Sequence, residues 1–168
     1  MIMRTNKVVF YLLASLILSG CSYSFTGSSI PSDMKTVAIP VFDDVSGYTE
    51  AGLRENLTNL LIQKFIQDNS LQVVDRKYSD TILEGVILSV RDEPFVIAGN
   101  EQVNSRRVLI QVKVRFSDQR SKKQYWERNF SQYADYSPDG GTFAKQQAIQ
   151  KAIENLTEDI LISTVSDW

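Results

Sequence analysis

Val108-Leu-Ile-Gln-Val-Lys-Val-Arg-Phe116 alternates apolar and polar side chains with a period of two, broken only at Leu109. Successive side chains of a strand point to opposite faces. Val108, Ile110, Val112, Val114 and Phe116 therefore share one face, and Gln111, Lys113 and Arg115 the other. A strand with one dry and one wet face belongs to an antiparallel or mixed sheet covered on one side, not to a parallel sheet buried on both. The same period predicts a strand from Thr81, with Ile82, Glu84, Val86, Leu88 and Val90 on one face and Leu83, Gly85, Ile87 and Ser89 on the other. Pro94 to Ser105, with Gly99, Asn100 and Asn104, reads as a loop longer than a tight hairpin needs. Beyond the polar, basic turn Ser117 to Lys123, Gln124 to Tyr133 is extended again around Tyr125, Trp126, Phe130 and Tyr133.

Upstream, Thr36 to Phe42 is a β-branched, apolar strand that Pro40 places at an edge or ends early, and Asp43-Asp44 closes it. Leu53, Leu57, Leu60, Leu61 and Phe65 then recur at helical spacing, which predicts a helix from about Thr49 to Asp68 and a short extended piece from Leu71 to Asp75. Near the other end, Asp139-Gly140-Gly141 breaks the chain and Thr142 is placed to cap a helix. Its apolar stripe is Ala148, Ile149, Ala152, Ile153, Leu156 and Ile160, running to about Val165. Each helix has one apolar stripe, so both fit on one face of a sheet. The expectation is an α+β (α/β) two-layer sandwich, with a roughly four-stranded, mostly antiparallel or mixed sheet and two helices packed on one face.

The N-terminal segment is of another kind. Arg4 and Lys7 precede an apolar run, Val8 to Leu18, which ends in Leu18-Ser19-Gly20-Cys21. The run is shorter than the roughly 20 apolar residues a spanning helix needs, and small residues follow it. It reads as a lipoprotein signal peptide over residues 1–20, cleaved so that Cys21 becomes the lipidated first residue. Acyl chains contribute about 0.8 kcal/mol per buried CH₂, and two or more make attachment lasting. Residues 21–35, rich in Ser and Gly, form the tether, and residues 36–168 a single domain. An ordinary cleaved signal followed by an incidental cysteine is the alternative.

Composition narrows the chemistry. Cleavage leaves 148 of the 168 residues, enough for one core. The single cysteine leaves no disulfide and no Cys/His metal site, and the absence of histidine removes Ser-His-Asp and Cys-His catalysis. Loss of Arg4 and Lys7 takes 18 basic residues to 16 against 20 acidic ones, a mature charge of −4, which argues against nucleic-acid binding. No metal or cofactor is expected.

Asp43, Asp44 and Asp139 are the carboxylates that an acid/base hydrolase would use, though turn chemistry accounts for them as well. The Asn-x-Ser/Thr triplets at Asn56, Asn129 and Asn155 fall in predicted regular elements. Eight basic residues between Arg106 and Arg128 face only Asp118 and Glu127. Within that stretch Arg107, Lys113, Arg115, Lys122 and Lys123 are candidate contacts for phosphorylated groups, since Arg offers a fork of donors and Lys a point charge. A solvated sheet face and hairpin tip would carry the same charges.

Cys21-Ser-Tyr-Ser-Phe-Thr-Gly-Ser-Ser-Ile-Pro31, Thr36-Val-Ala-Ile-Pro-Val-Phe42 before an amphipathic helix, the strand Val108 to Ser117, Trp126-Glu-Arg-Asn-Phe-Ser131 and Tyr133-Ala-Asp-Tyr136 together resemble the lipopolysaccharide-assembly lipoprotein family LptE. That resemblance implies a non-enzymatic lipoprotein on the periplasmic side of a Gram-negative outer membrane. It would act as plug and assembly partner of the LptD β-barrel in lipopolysaccharide transport, with the five cations near lipid A phosphates. Ser22 after Cys21, rather than Asp, favours outer-membrane sorting in this picture. A scaffold lipoprotein of another envelope machine, such as the barrel-insertion complex, is the second expectation, and the hydrolase the third.

Overall fold

The computed structural model describes residues 34–49, 52–95 and 105–166. Cys21, the signal peptide and most of the tether lie outside the described residues. The elements are β1 (Thr36–Ala38), β2 (Asp43–Asp44), α1 (Leu53–Asp68), β3 (Gln72–Val73), β4 (Thr81–Phe95), β5 (Ser105–Asp118), β6 (Gln124–Tyr136) and α2 (Gly141–Ser166), with 3-10 turns at Arg76–Tyr78 and Pro138–Gly140. One mixed sheet has the order β3-β1-β4-β5-β6, and β2 lies beside β4. The long strands β4, β5 and β6 form an antiparallel meander. β1 and β2 run parallel to β4, and β1 parallel to β3, a connection that needs a crossover, which α1 supplies.

The two-layer α+β architecture is as expected, but the sheet holds six strands rather than about four. β3 falls in the short extended piece expected from Leu71 to Asp75, whereas β2, two residues long, is too short for any periodicity to show. Asp43-Asp44 is thus not a turn after β1 but a strand in its own right, formed by residues ordinarily depleted in strands. Between β1 and β2, Ile39 to Phe42 leaves the ladder, as Pro40 lacks the N–H that a ladder position would use. Phe42 N–H instead donates to the Thr58 hydroxyl at 3.0 Å, which itself donates to the Arg54 carbonyl at 2.7 Å.

The core lies between the sheet and the two helices. Val108, Ile110, Val112, Val114 and Phe116 of β5 are fully buried there, with Leu83 and Ile87 of β4. Leu57, Leu61 and Phe65 of α1 and Ile153, Leu156 and Ile160 of α2 meet them. At about 1.5–3 kcal/mol for each large apolar side chain fully buried, these positions dominate the favourable side of folding.

In β4 the predicted alternation fails halfway. A bulge between Ile87 and Ser89 inserts Leu88 as an extra residue. Beyond it the faces exchange: Ser89 pairs with Gln111 on the wet side, its hydroxyl donating to Gln111 Oε1 at 2.9 Å, while Val90 packs against the core. The helix ends also shift. α1 starts at Leu53 behind Gly52, whose φ of 85° is readily adopted only without a Cβ. Thr142 lies inside α2 rather than capping it, and Ser137 caps the 3-10 turn ahead of it, its hydroxyl accepting from Asp139 N–H. Among the described residues no helix is long and apolar enough to cross a membrane.

Candidate functional site

The sheet face away from the helices carries the central candidates. Rows run across three strands: Glu84, Arg115 and Glu127 in one, Val86, Lys113 and Asn129 in the next. Arg115 Nη2 lies 2.8 Å from Glu127 Oε2, and Arg76 Nη2 lies 3.1 Å from Glu84 Oε1. Where Ile39 to Phe42 bows away from β4, an open groove of about 410 Å³ forms, bordered by Pro40, Val41, Arg76, Lys113, Arg115 and Glu127. Asp43 and Glu84 also face it, so three cations meet three carboxylates. Lys113 has no ion-pair partner among the described residues. A phosphate entering this groove would meet that ammonium directly and would compete with Glu127 for the Arg115 fork.

The other candidates lie elsewhere. Arg107 is six residues back along the same strand from Lys113, about 20 Å at 3.3–3.4 Å per residue. Its guanidinium is stacked between the rings of Phe95 and Tyr133, at 3.8 and 3.7 Å from their centroids. It also donates twice to Asp135, at 2.6 and 2.8 Å. That hydrogen bonding holds the Asp135 carboxyl below the usual range and raises Arg107. Lys122 and Lys123 occupy the β5–β6 turn at the opposite end, Lys122 with φ 60° and its ammonium on Gln119 Oε1 at 3.1 Å. The structure thus brings Lys113 and Arg115 together and sets the other three apart.

The carboxylates do not gather either. Asp43 faces the groove, Asp44 accepts from Ser46 N–H at 2.8 Å beside Gly47 and Arg54, and Asp139 sits in the turn before α2. Among the described residues no cluster of acidic side chains has metal-binding geometry.

A second polar group, not read from the sequence, sits on the helix side of the sheet near the start of α2. Asp92 accepts from Arg106 Nε at 2.8 Å and from the Tyr136 hydroxyl at 2.9 Å, and pairs with Lys145 Nζ at 3.1 Å. Burial pushes the Asp92 carboxyl up, but those three donors outweigh it and hold it below its ordinary value. Lys145, hydrogen-bonded with Tyr48 and Asp92, is pushed up to about 12. Neighbouring charges at inward positions of β4 and β5 were the available signal, hidden by the bulge that reverses the phase of β4.

Fold and site together define a single-core α+β sandwich with a charged open sheet face. Residues 34–164 match the lipopolysaccharide-assembly family LptE, and the chain belongs to that family. No curated protein matches it. Among solved structures, a protein from Xanthomonas campestris superposes with TM-score 0.59 at 13% identity, covering 82% of this chain and 90% of that one. A hypothetical protein from Chlamydia trachomatis gives 0.55 at 12%, covering 78% and 95%. Rare lipoprotein B from Shewanella oneidensis gives 0.50 at 13%, covering 76% and 92%. At such identities the likeness is one of fold.

Proposed function

We propose that this chain is an outer-membrane lipoprotein, anchored through Cys21 on the periplasmic side, that serves as plug and assembly partner of an LptD-like β-barrel delivering lipopolysaccharide. The family match over residues 34–164 carries this reading. The lipobox Leu18-Ser19-Gly20-Cys21 supports the anchor. A polar, ion-paired sheet face suits the polar interior of a large barrel better than an apolar surface would. The role is one of docking rather than catalysis.

Within that role, Lys113 and Arg115 are the residues placed to meet lipid A phosphates, because they share one groove and Lys113 is free of ion pairs among the described residues. Arg107 is a weaker candidate, since Asp135 and two rings already occupy its guanidinium. Detergent extraction and affinity purification of the lipidated chain test the reading. Recovery with a lipopolysaccharide-exporting barrel is expected. Recovery without any large β-barrel would overturn it, and recovery with the barrel-insertion machinery would favour the scaffold alternative.

A further inference from the structure

The start of β1 and the basic β5–β6 turn meet at one end of the molecule. β1 begins at Thr36, beside Asp80, whose carboxylate accepts from Lys35 N–H and Thr36 N–H at 3.2 Å each and from the Thr36 hydroxyl at 2.7 Å. The β5–β6 turn docks on the same loop: Gln119 N–H donates to the Asp80 carbonyl at 2.7 Å, Gln119 Nε2 to the Arg76 carbonyl at 3.2 Å, and Arg120 Nη2 reaches Asp80 Oδ1 at 3.5 Å. Lys35, Arg76, Lys77, Arg120, Lys122 and Lys123 are consequently gathered around one surface, all exposed.

The acids at this end are held ionised by their hydrogen bonds, and they pair with the arginines rather than the lysines: Arg120 with Asp80 and Arg76 with Glu84. Asp80 is committed to Thr36 and Lys35, and Asp118 to Ser121 N–H, Arg120 N–H and the Tyr125 hydroxyl. With Asp68 at the end of α1 and Asp75 before the 3-10 turn, five carboxylates stand against the six cations. Lys35, Lys77, Lys122 and Lys123 have no ion-pair partner among the described residues. Beside them Tyr78 is 68% exposed, with the Lys77 ammonium 4.6 Å from its ring centre. Exposed tyrosine beside lysines is the composition of a membrane–water boundary.

We infer that this end is a docking surface for an anionic phospholipid bilayer, so that Lys122 and Lys123 meet headgroup phosphates of the membrane while Lys113 and Arg115 face elsewhere. The inference draws on the anchor reading for its geometry. Met34 follows Cys21 by 13 residues, a reach of at most about 47 Å at 3.3–3.6 Å per residue, so an acylated Cys21 keeps this end within range of the headgroups. β5, about 46 Å long at 3.3 Å per residue, carries the Arg107 end away from them.

The test uses the mature chain from residue 22, which keeps every described residue and lacks only the acylated cysteine, in flotation with phosphatidylcholine vesicles with and without 30% (roughly) phosphatidylglycerol. Salt-sensitive binding to the anionic vesicles is expected. Lys122→Glu with Lys123→Glu should weaken it by roughly 25-fold or more, at about fivefold per cation near an anionic surface. Arg54→Glu with Lys151→Glu changes net charge equally but elsewhere, and should stay within about twofold of the parent. Equal losses from the two pairs, or equal binding to neutral and anionic vesicles, would overturn the inference. Because this chain has no cysteine after Cys21, a polarity-sensitive dye can be placed by Ser121→Cys or Gln150→Cys. A blue shift on vesicle binding is expected only at the first, and a shift only at the second would also overturn the inference. Barrel co-purification of the lipidated Lys122→Glu/Lys123→Glu chain reads the plug role separately, so the two ideas fail independently.

Discussion

The ring of Phe42 lies directly over the α-carbon of Gly85: a Cβ at position 85 would sit 2.1 Å from Phe42 Cε2 and 2.3 Å from Cζ. Phe42 is 1% exposed, so its ring has nowhere to retreat. The glycine is there for close approach, letting the segment that leaves the sheet at Pro40 fold its aromatic back onto β4. Gly85→Ala should destabilise by about 1–3 kcal/mol through overpacking, and Phe42→Ala by about 3–5 kcal/mol through the cavity it leaves. The double variant should cost less than the sum of the two, since the vacated ring space admits the new methyl. Urea unfolding of the four chains measures this; strict additivity would show that the two sites do not share that space.

The part of this that could be read from the sequence was the dry face of β5, where five apolar residues at a period of two sit opposite charges. The two helical stripes were equally readable. Gly85 read only as sharing a face of β4 with Leu83 and Ile87, with nothing to announce the ring above it. The bulge at Leu88 was silent because Leu88-Ser89-Val90 continues an apolar strand in either phase, and only the pairing with β5 shows the slip. The cationic stretch read as a single patch because its residues are close in sequence. A strand spreads neighbours at 3.3–3.4 Å each, so Arg107 and Lys123 finish at opposite ends of the sheet.

The Asp92 group makes stability depend on pH at both extremes. The Asp92 carboxyl in the fold titrates below its unfolded value of 3.8, so its contribution is full above that pH and is lost as the pH falls through the depressed folded value. Lys145 is raised, so its contribution is full below 10.5 and is lost as the pH climbs through about 12. Asp92→Asn should cost about 2 kcal/mol near neutrality, the scale of hydrogen bonds to a charged group. It should also flatten the acid limb of the profile. Urea midpoints between pH 2.5 (about) and 7 check this, and an acid limb unchanged by the substitution would assign it to Asp80, Asp118 and Asp135, which are also held low.

Arg107 tests whether a basic residue in the stretch serves the fold. Its side chain is 22% exposed, stacked between Phe95 and Tyr133 and forked onto Asp135. Lysine keeps the charge but has neither the flat face nor the fork. Arg107→Lys should therefore lower stability by about 1–2 kcal/mol. Lipopolysaccharide binding by the same variant should stay within about twofold of the parent. A large loss of binding with stability unchanged would move Arg107 from scaffold to ligand contact.

Lys113 and Arg115 should behave differently from each other as well as from Arg107. Lys113 opens on the groove without an ion-pair partner among the described residues, whereas Arg115 is held at 2.8 Å by Glu127. Lys113→Gln should weaken lipopolysaccharide binding by several-fold, roughly 1 kcal/mol, and make it less sensitive to salt, with little effect on stability. Glu127→Gln should act in the opposite direction, releasing the Arg115 fork and strengthening binding by a similar factor, because the phosphate then has no carboxylate to displace. Titrations at two salt concentrations separate these outcomes. Weakening by both substitutions would mean that the ion pair shapes the groove rather than competing for it.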